Sequence, residues 1–333
     1  MALSPLNPAL TGRSYPPRAL VKRVLLASPR GYCAGVERAV ETVRRALALY
    51  GPPVYVRKQI VHNSHVVREL EGDGAVFVDS VGDVPEGSPI VFSAHGVAPA
   101  VREAADARRL AAIDATCPLV TKVHTQARRY AERGYRIVLI GHAGHEEVEG
   151  TTGEAPDAIV LVESVEDAER IELDDARIAY ITQTTLSVDE TREIVDVLRR
   201  RFPHIEGPAR EDICYATSNR QWAVKELLDQ VDLLLVVGSH NSSNSLRLVE
   251  VARAAGVDAH LVDDASEIDA RWLEGVAIAG VTSGASAPER LVQGVCDWFR
   301  ARGVDDIREH RTAHEDVAFR LPVELRRVAR PAA

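Results

Sequence analysis

The sequence predicts an α/β fold: three similar α/β domains set in a pseudo-threefold trefoil around one shared centre. Three observations predict it. Similar strings, each carrying one cysteine, recur as GYCAGVERAV (31–40), DATCPLVTKV (114–123) and DICYATSNRQ (212–221). Each is followed by an amphipathic helical pattern and then by short β-rich runs that open into polar loops, the order of a parallel α/β unit. The spacings also stay in phase. From cysteine to a polar residue of the next strand-end loop is 29 residues (Cys33 to His62), 28 (Cys117 to His145) and 28 (Cys214 to Ser242). From cysteine to the closing loop is 62 (His95), 67 (Thr184) and 72 (Ser286).

Taken in order, the apolar run VLLAS (24–28) reads as a first strand that leads into the Cys33 loop. In the first unit ERAVETVRRALALY (37–50) has helical periodicity, VYVRKQIV (54–61) reads as a strand, and HNSHVV (62–67) as its polar loop. FVDSV (77–81) and PIVFSAHG (89–96) complete that unit. The second repeats the order with LVTKVHTQARRYAERG (119–134), YRIVLIG (135–141), the loop HAGHEEVEGTTG (142–153), LVESV (161–165) and RIAYITQTTLS (177–187). The third does so with NRQWAVKELLDQ (219–230), VDLLLVVG (231–238), SHNSSNSLR (239–247), LVDDAS (261–266) and VAIAGVTSGASAP (276–288). The expected division is a flexible leader at 1–20, a first strand and cysteine loop at 21–34, and α/β domains at 35–116, 117–212 and 213–300. A C-terminal extension at 301–333 follows, expected to pack on the surface. Ligand sites of open α/β sheets lie at the carboxyl ends of the strands, so all three sets of loops are expected to face one cavity.

Composition narrows the function classes. Aromatic residues make up 5% and the net charge is −9, which argues against nucleic acid: stacking platforms and a basic face are both missing. No apolar run approaches the length of a membrane span, and the proline-rich N-terminus has no continuous apolar core. The expectation is therefore a cytoplasmic protein without a membrane partner, in which Cys33, Cys117, Cys214 and Cys296 are not paired as disulfides. None of them forms a CxxC pair, so a zinc ribbon or thioredoxin motif is excluded by spacing.

A single cytosolic cysteine is usually a small buried hydrophobe, and Cys296, on the apolar face of LVQGVCDWF, reads that way. Three cysteines phased across three repeats read differently, because burial alone has no reason to be phased. Converging thiolates suit an iron–sulfur cluster or zinc. Three of them leave one iron of a cubane cluster, or one position of a zinc site, open to a substrate oxygen. His62, His95 and His145 sit on strand-end loops together with Ser242, Ser243, Asn244 and Ser286. Imidazole, hydroxyl and amide groups donate to oxyanions, so a small anionic substrate such as a diphosphate would satisfy this set. No GxxxxGK[ST] occurs to hold a nucleotide instead. HEEVEG (145–150) sets Glu146, Glu147 and Glu149 beside His145, and a carboxylate buried near a metal and an anion gains affinity for a proton from desolvation and charge repulsion and could act as general acid. Glu146 and Glu149 fit an exposed acidic turn, and TQTT (182–185), with Thr184, offers hydroxyls for proton relay.

Nine ordered strings, GYCAGVERA, IVHN, FSAHGV, DATCPLV, GHEEVEG, TQTTLS, DICYATSNRQ, VGSHNSSNS and TSGASAP, resemble the 4-hydroxy-3-methylbut-2-enyl diphosphate reductases over most of the chain. The resemblance implies a 4Fe–4S cluster at the centre of the trefoil, held by Cys33, Cys117 and Cys214 with one open iron. It implies that two one-electron transfers, protonation and loss of water convert the substrate to isopentenyl and dimethylallyl diphosphates. The electrons would come from a low-potential donor such as ferredoxin or flavodoxin. His62, His95, His145, Thr184, Ser242, Ser243, Asn244 and Ser286 are implied as substrate-binding, and Glu147, Thr184 and His145 as catalytic. Quinolinate synthase and the diphthamide-forming enzymes also gather one cysteine from each of three units, but HNSSNS and GHEEVEG favour the reductases. In one place the chain departs from the family: the usual HPEVEG carries Glu146 where proline stands.

Overall fold

The computed structural model describes residues 21–173 and 177–326; the leader at 1–20 lies outside the described residues. The chain enters through β1 (Arg23–Ser28), whose Val24–Ala27 are buried, as expected of a strand covered on both faces. α1 (Ala34–Tyr50) follows, with its apolar stripe against β2 (Val54–Arg57) and the later strand Pro89–Phe92. α2 (Ser64–Gly72), β3 (Ala75–Val78), β4 (Pro89–Phe92), α3 (Pro99–Ala107) and β5 (Ala111–Asp114) complete the first unit. Its four strands run parallel in the order β3-β2-β4-β5. The second strand is shorter than its apolar run: Lys58 at φ 56° leaves the extended conformation, so β2 stops at Arg57.

The second unit holds α4 (Pro118–Glu132), β6 (Arg136–Ile140), α5 (Glu146–Glu154), β7 (Ile159–Val162), α6 (Val165–Arg170), β8 (Ile178–Thr182) and α7 (Val188–Arg201). Its sheet is β7-β6-β8, again parallel. HEEVEG, read from sequence as loop, forms the first turns of α5, because His145 caps them with its own ring. The third unit holds α8 (Tyr215–Leu228), β9 (Leu233–Val237), α9 (Ser243–Ala254), β10 (Asp258–Val262), β11 (Ile278–Ser283) and α10 (Glu289–Arg300). Then come β12 (Ile307–Arg311) and α11 (Val323–Arg326).

The third sheet, β10-β9-β11-β1-β12, closes the ring of units. β1, from the start of the described chain, pairs in parallel with β11 on one side and β12 on the other. Residues that the sequence division sets apart, 21–34 and 301–333, thus supply two strands of one sheet. The expected surface packing of the extension gives way to integration. Arg38 of α1 donates to the carbonyl of Arg320 at 2.8 Å, and Leu325 packs into the core between α1 and the first sheet. Arg220 of α8, fully buried, pairs with Glu315 at 3.1 Å and donates to the carbonyl of Gly31 at 2.7 Å. The cysteine loop of the first unit is therefore held by a helix of the third. Cys296, as expected, lies in the core of the third unit. Among the described residues no helix is long and apolar enough to cross a membrane.

Candidate functional site

Cys33, Cys117 and Cys214 are the N-cap residues of α1, α4 and α8. Their backbone amides make one hydrogen bond each, in a cycle. Cys117 N–H donates to Ala94 O at 2.9 Å, Cys214 N–H to Thr184 O at 3.0 Å, and Cys33 N–H to Ala285 O at 3.1 Å. Each cysteine is thus tied to the closing loop of the unit before it in the ring, which is how three residues far apart in sequence reach one place. The sulfurs converge: a Cβ placed on Gly35 would stand 2.8 Å from Cys117 Sγ and 3.8 Å from Cys33 Sγ. Glycine is required there to leave the thiols room.

Burial, joined by the charge of the neighbouring Cys33, raises the thiol pKa of Cys117 to about 12 and of Cys214 to about 11. Burial raises Cys33 as well, against the Arg220 charge. Three buried thiols in one another's field cannot ionise together in isolation. A soft cationic centre offsets that cost, and the N-termini of three helices add partial positive charge, so the donor set fits a metal cluster.

A wall of donors faces the thiols, and every site residue expected from the sequence lines this one cavity. His145 caps α5 with Nδ1, which accepts the Glu147 amide N–H at 3.1 Å; its proton therefore sits on Nε2. Ser242 caps α9, and its Oγ lies 3.4 Å from Ser286 Oγ. Ser286 donates to the backbone carbonyl of His62 at 3.0 Å, which stitches the third unit to the first. Asn244 accepts from the Ala285 amide at 2.6 Å, while its buried Nδ2 has no partner among the described residues. A buried donor without an acceptor marks a place for a ligand oxygen. Ser243 donates to Thr185 O at 3.2 Å.

The three imidazoles form one cluster. His62 and His95 stack with centroids 4.0 Å apart, and His145 stands edge-on to both. Burial lowers their pKa values to about 3 for His62, 4 for His95 and 3 for His145, so at neutral pH they are uncharged without a bound anion. Glu147, 2% exposed, is buried beside them. Its Oε1 accepts the Thr184 N–H at 2.6 Å and its Oε2 the Thr184 hydroxyl at 3.0 Å. Burial raises its pKa from 4.5 to about 7 against those two hydrogen bonds.

Glu146 is a correction to the sequence reading. It does not sit on an exposed turn: its Oε2 lies 3.2 Å from His95 Nδ1 and 3.4 Å from Ser93 Oγ, and its side chain is 15% exposed. Glu149 does face solvent. The signal that could have placed Glu146 was the cap: once His145 is the N-cap, residues 146 and 147 point about 100° apart on the first helical turn. One then faces the first unit and the other the thiols. Asn241 was also missed; its Nδ2 donates to Gln59 Oε1 at 2.8 Å and approaches His62 Nδ1 at 3.5 Å.

Three parallel α/β units that gather three thiols and a wall of oxyanion donors at their centre define the class: an α/β protein with an anion-accepting, thiol-floored site fit for a metal cluster. Residues 24–300 match the family described as LytB protein. A 4-hydroxy-3-methylbut-2-enyl diphosphate reductase of Acidothermus cellulolyticus is 64% identical over 308 residues, 92% of this chain and 91% of the relative. A solved structure of the E-1-hydroxy-2-methyl-but-2-enyl-4-diphosphate reductase from Plasmodium falciparum superposes with a TM-score of 0.90 at 41% identity. It covers 92% of this chain and 98% of its own. A second, of (E)-4-hydroxy-3-methyl-but-2-enyl diphosphate reductase, described as the terminal enzyme of the non-mevalonate pathway, gives a TM-score of 0.61 at 30% identity. The overlap is 84% of this chain and all of that one. The chain belongs to the LytB family of 4-hydroxy-3-methylbut-2-enyl diphosphate reductases.

Proposed function

We propose that this chain catalyses the reductive dehydroxylation of 4-hydroxy-3-methylbut-2-enyl diphosphate, the terminal step of the non-mevalonate pathway. The products are isopentenyl and dimethylallyl diphosphates, and two electrons and two protons remove the hydroxyl as one water. The observation that carries the reading is one cavity shared by three buried thiols, a buried carboxylate and a wall of donors. Reductases of this family work with a 4Fe–4S cluster. The reading assigns its ligation to Cys33, Cys117 and Cys214, one from each unit, with one iron open. A bound cluster would supply the two electrons one at a time, and a low-potential donor such as ferredoxin or flavodoxin would replace them.

The chain's own residues bind, orient and protonate. His62, His95, His145, Ser242, Ser243, Asn244 and Ser286 hold the diphosphate, which turns the unpartnered Asn244 Nδ2 and the imidazole N–H groups to use. Burial brings the Glu147 pKa to about 7, so the carboxyl can take up and release a proton near neutral pH; it lies against the Thr184 hydroxyl, and its proton can reach the departing oxygen directly or through Thr184 Oγ1. The burial of Glu147, Thr184 and Ser242 limits the access of bulk water to that end of the cavity. The proposed division into domains at 35–116, 117–212 and 213–300 gives each unit one cysteine and a share of the donor wall.

Anaerobic purification followed by turnover of the diphosphate substrate with a low-potential donor tests the reading. A brown protein with broad visible absorbance that forms both products is the expected result. A colourless, zinc-loaded protein, or a cluster-loaded one without turnover, overturns it.

A further inference from the structure

We propose that Glu146 and His95 act as one proton-binding pair, Glu146 being the positioning residue, so that diphosphate binding is linked to uptake of a proton. The inference rests on the reading of the three histidines as diphosphate donors. It comes from a difference among their ring nitrogens. His145 accepts the Glu147 amide on Nδ1, and His62 Nδ1 faces the Asn241 amide nitrogen, a donor. Both therefore carry their proton on Nε2 and present an N–H. His95 is the exception, because its Nδ1 faces a carboxylate oxygen at 3.2 Å. An ionised carboxylate only accepts, so Nδ1 carries the proton and Nε2 is left with a lone pair. A lone pair repels a phosphate oxygen.

One added proton removes the conflict. It makes either an imidazolium held by a carboxylate or a carboxylic acid that donates to Nδ1. In both arrangements Nε2 bears an N–H and the pair is neutral, so the proton belongs to the pair and not to either residue. Without an anion the pair does not hold that proton firmly, since burial lowers His95 to about 4. Burial raises Glu146, while His62, His145, Lys58 and Arg57 face it and oppose the rise. Only one proton is added, because His62 stacks on His95 at 4.0 Å and a second cation there would meet the first.

A metal ion is the rival occupant, as ligand atoms of His62, His95 and Glu146 lie within 4.8 Å of one another. The ring planes of the two histidines, however, are within 15° of parallel. An ion in the plane of one ring lies well out of the plane of the other, which is poor imidazole ligation. The position also tolerates change. Residue 146 is the first of α5, directly after the His145 cap, where the backbone N–H has no intrahelical partner and proline is accepted.

The test is calorimetric titration of the cluster-loaded protein with inorganic diphosphate, in two buffers of different ionisation enthalpy near neutral pH. Protonation of the ligand itself is common to wild type and Glu146→Gln and cancels in their difference. The wild type is expected to take up about one more proton per diphosphate than Glu146→Gln, and its Kd to rise up to about tenfold more steeply per pH unit above neutrality. Glu146→Pro is expected to match Glu146→Gln. Equal proton counts and parallel Kd profiles in wild type and Glu146→Gln overturn the proposal and leave the diphosphate site standing. A wild type that binds no diphosphate at any pH removes the site reading, and the proposal with it.

Discussion

Glu147→Gln is expected to make the protein more stable and much less active. The carboxyl is buried, and burial lifts its pKa from 4.5 to about 7. The folded value therefore lies above the unfolded one, so this group favours the fold most where it is protonated. That stability is fully present below about pH 4.5 and is lost as pH rises through about 7. At about 1.4 kcal/mol per pH unit, the gap amounts to about 3 kcal/mol, a large share of a typical folding free energy. Glutamine is neutral at every pH and similar in shape. Its oxygen can accept the Thr184 N–H and its amide can donate to Thr184 Oγ1, so the contacts survive with one proton reversed. Urea unfolding of the anaerobically purified protein at about pH 5 and about pH 8 should show the wild-type midpoint dropping relative to the variant's as pH rises; the buried histidines, whose lowered pKa values add stability over the same range, are common to both and cancel in the difference. Turnover should drop by about 10²–10⁴, the usual worth of a general acid, while visible absorbance and diphosphate binding persist. Wild-type and variant midpoints that change in parallel would refute the burial argument. Undiminished turnover would remove Glu147 from proton transfer.

Gly35→Ala favours the helix by about 1 kcal/mol, but its Cβ would lie 2.8 Å from Cys117 Sγ. The expected protein is folded and poor in iron, and an iron and sulfide assay at the wild-type level would contradict it. Cys33→Ala, Cys117→Ala and Cys214→Ala should each lose the visible absorbance, whereas Cys296→Ala, in the core of the third unit, should keep it and lose only stability. Glu315→Ala leaves Arg220 buried without its counter-ion and is expected to cost about 3–5 kcal/mol. Glu315→Gln, which keeps an acceptor, should cost less, and thermal unfolding that ranks the two equally would show that the charge is not what matters.

Much of the site was legible because its residues sit where parallel α/β units place polar side chains, just past strand ends and at helix starts. The cysteines and capping residues share that position in every unit, so counting from cysteine to loop finds them. What stayed hidden depends on contacts between distant residues or on local geometry finer than periodicity. β12, IREHR, is polar and half-exposed and carries no strand pattern of its own; pairing with β1 makes it a strand. The Arg220–Glu315 pair spans 95 residues of sequence, and neither partner is unusual alone. Glu146 was misread because a helical first turn and an acidic loop look alike until the cap is known. The amide cycle through Ala94, Thr184 and Ala285 involves only backbone and leaves no trace in side-chain pattern.

The symmetry that builds the site also explains its division of labour. Backbone ties repeat in all three units, so the scaffold is nearly threefold, but the side chains at equivalent loop positions differ. The first unit offers His62 and His95, the second His145, Thr184 and Glu147, and the third the hydroxyls and amide of Ser242, Asn244 and Ser286. The first and third are joined directly, through the hydrogen bond from Ser286 to His62 O, and carry most of the oxyanion donors. The carboxyl that titrates near neutral pH belongs to the second and is bonded to Thr184, whose carbonyl also takes the Cys214 amide. On the proposed reading, the diphosphate lies along the boundary of the first and third units, and the hydroxyl end of the substrate reaches toward the second. A symmetric frame thus gives an asymmetric substrate a single orientation, with the proton source at one end and the anion donors at the other.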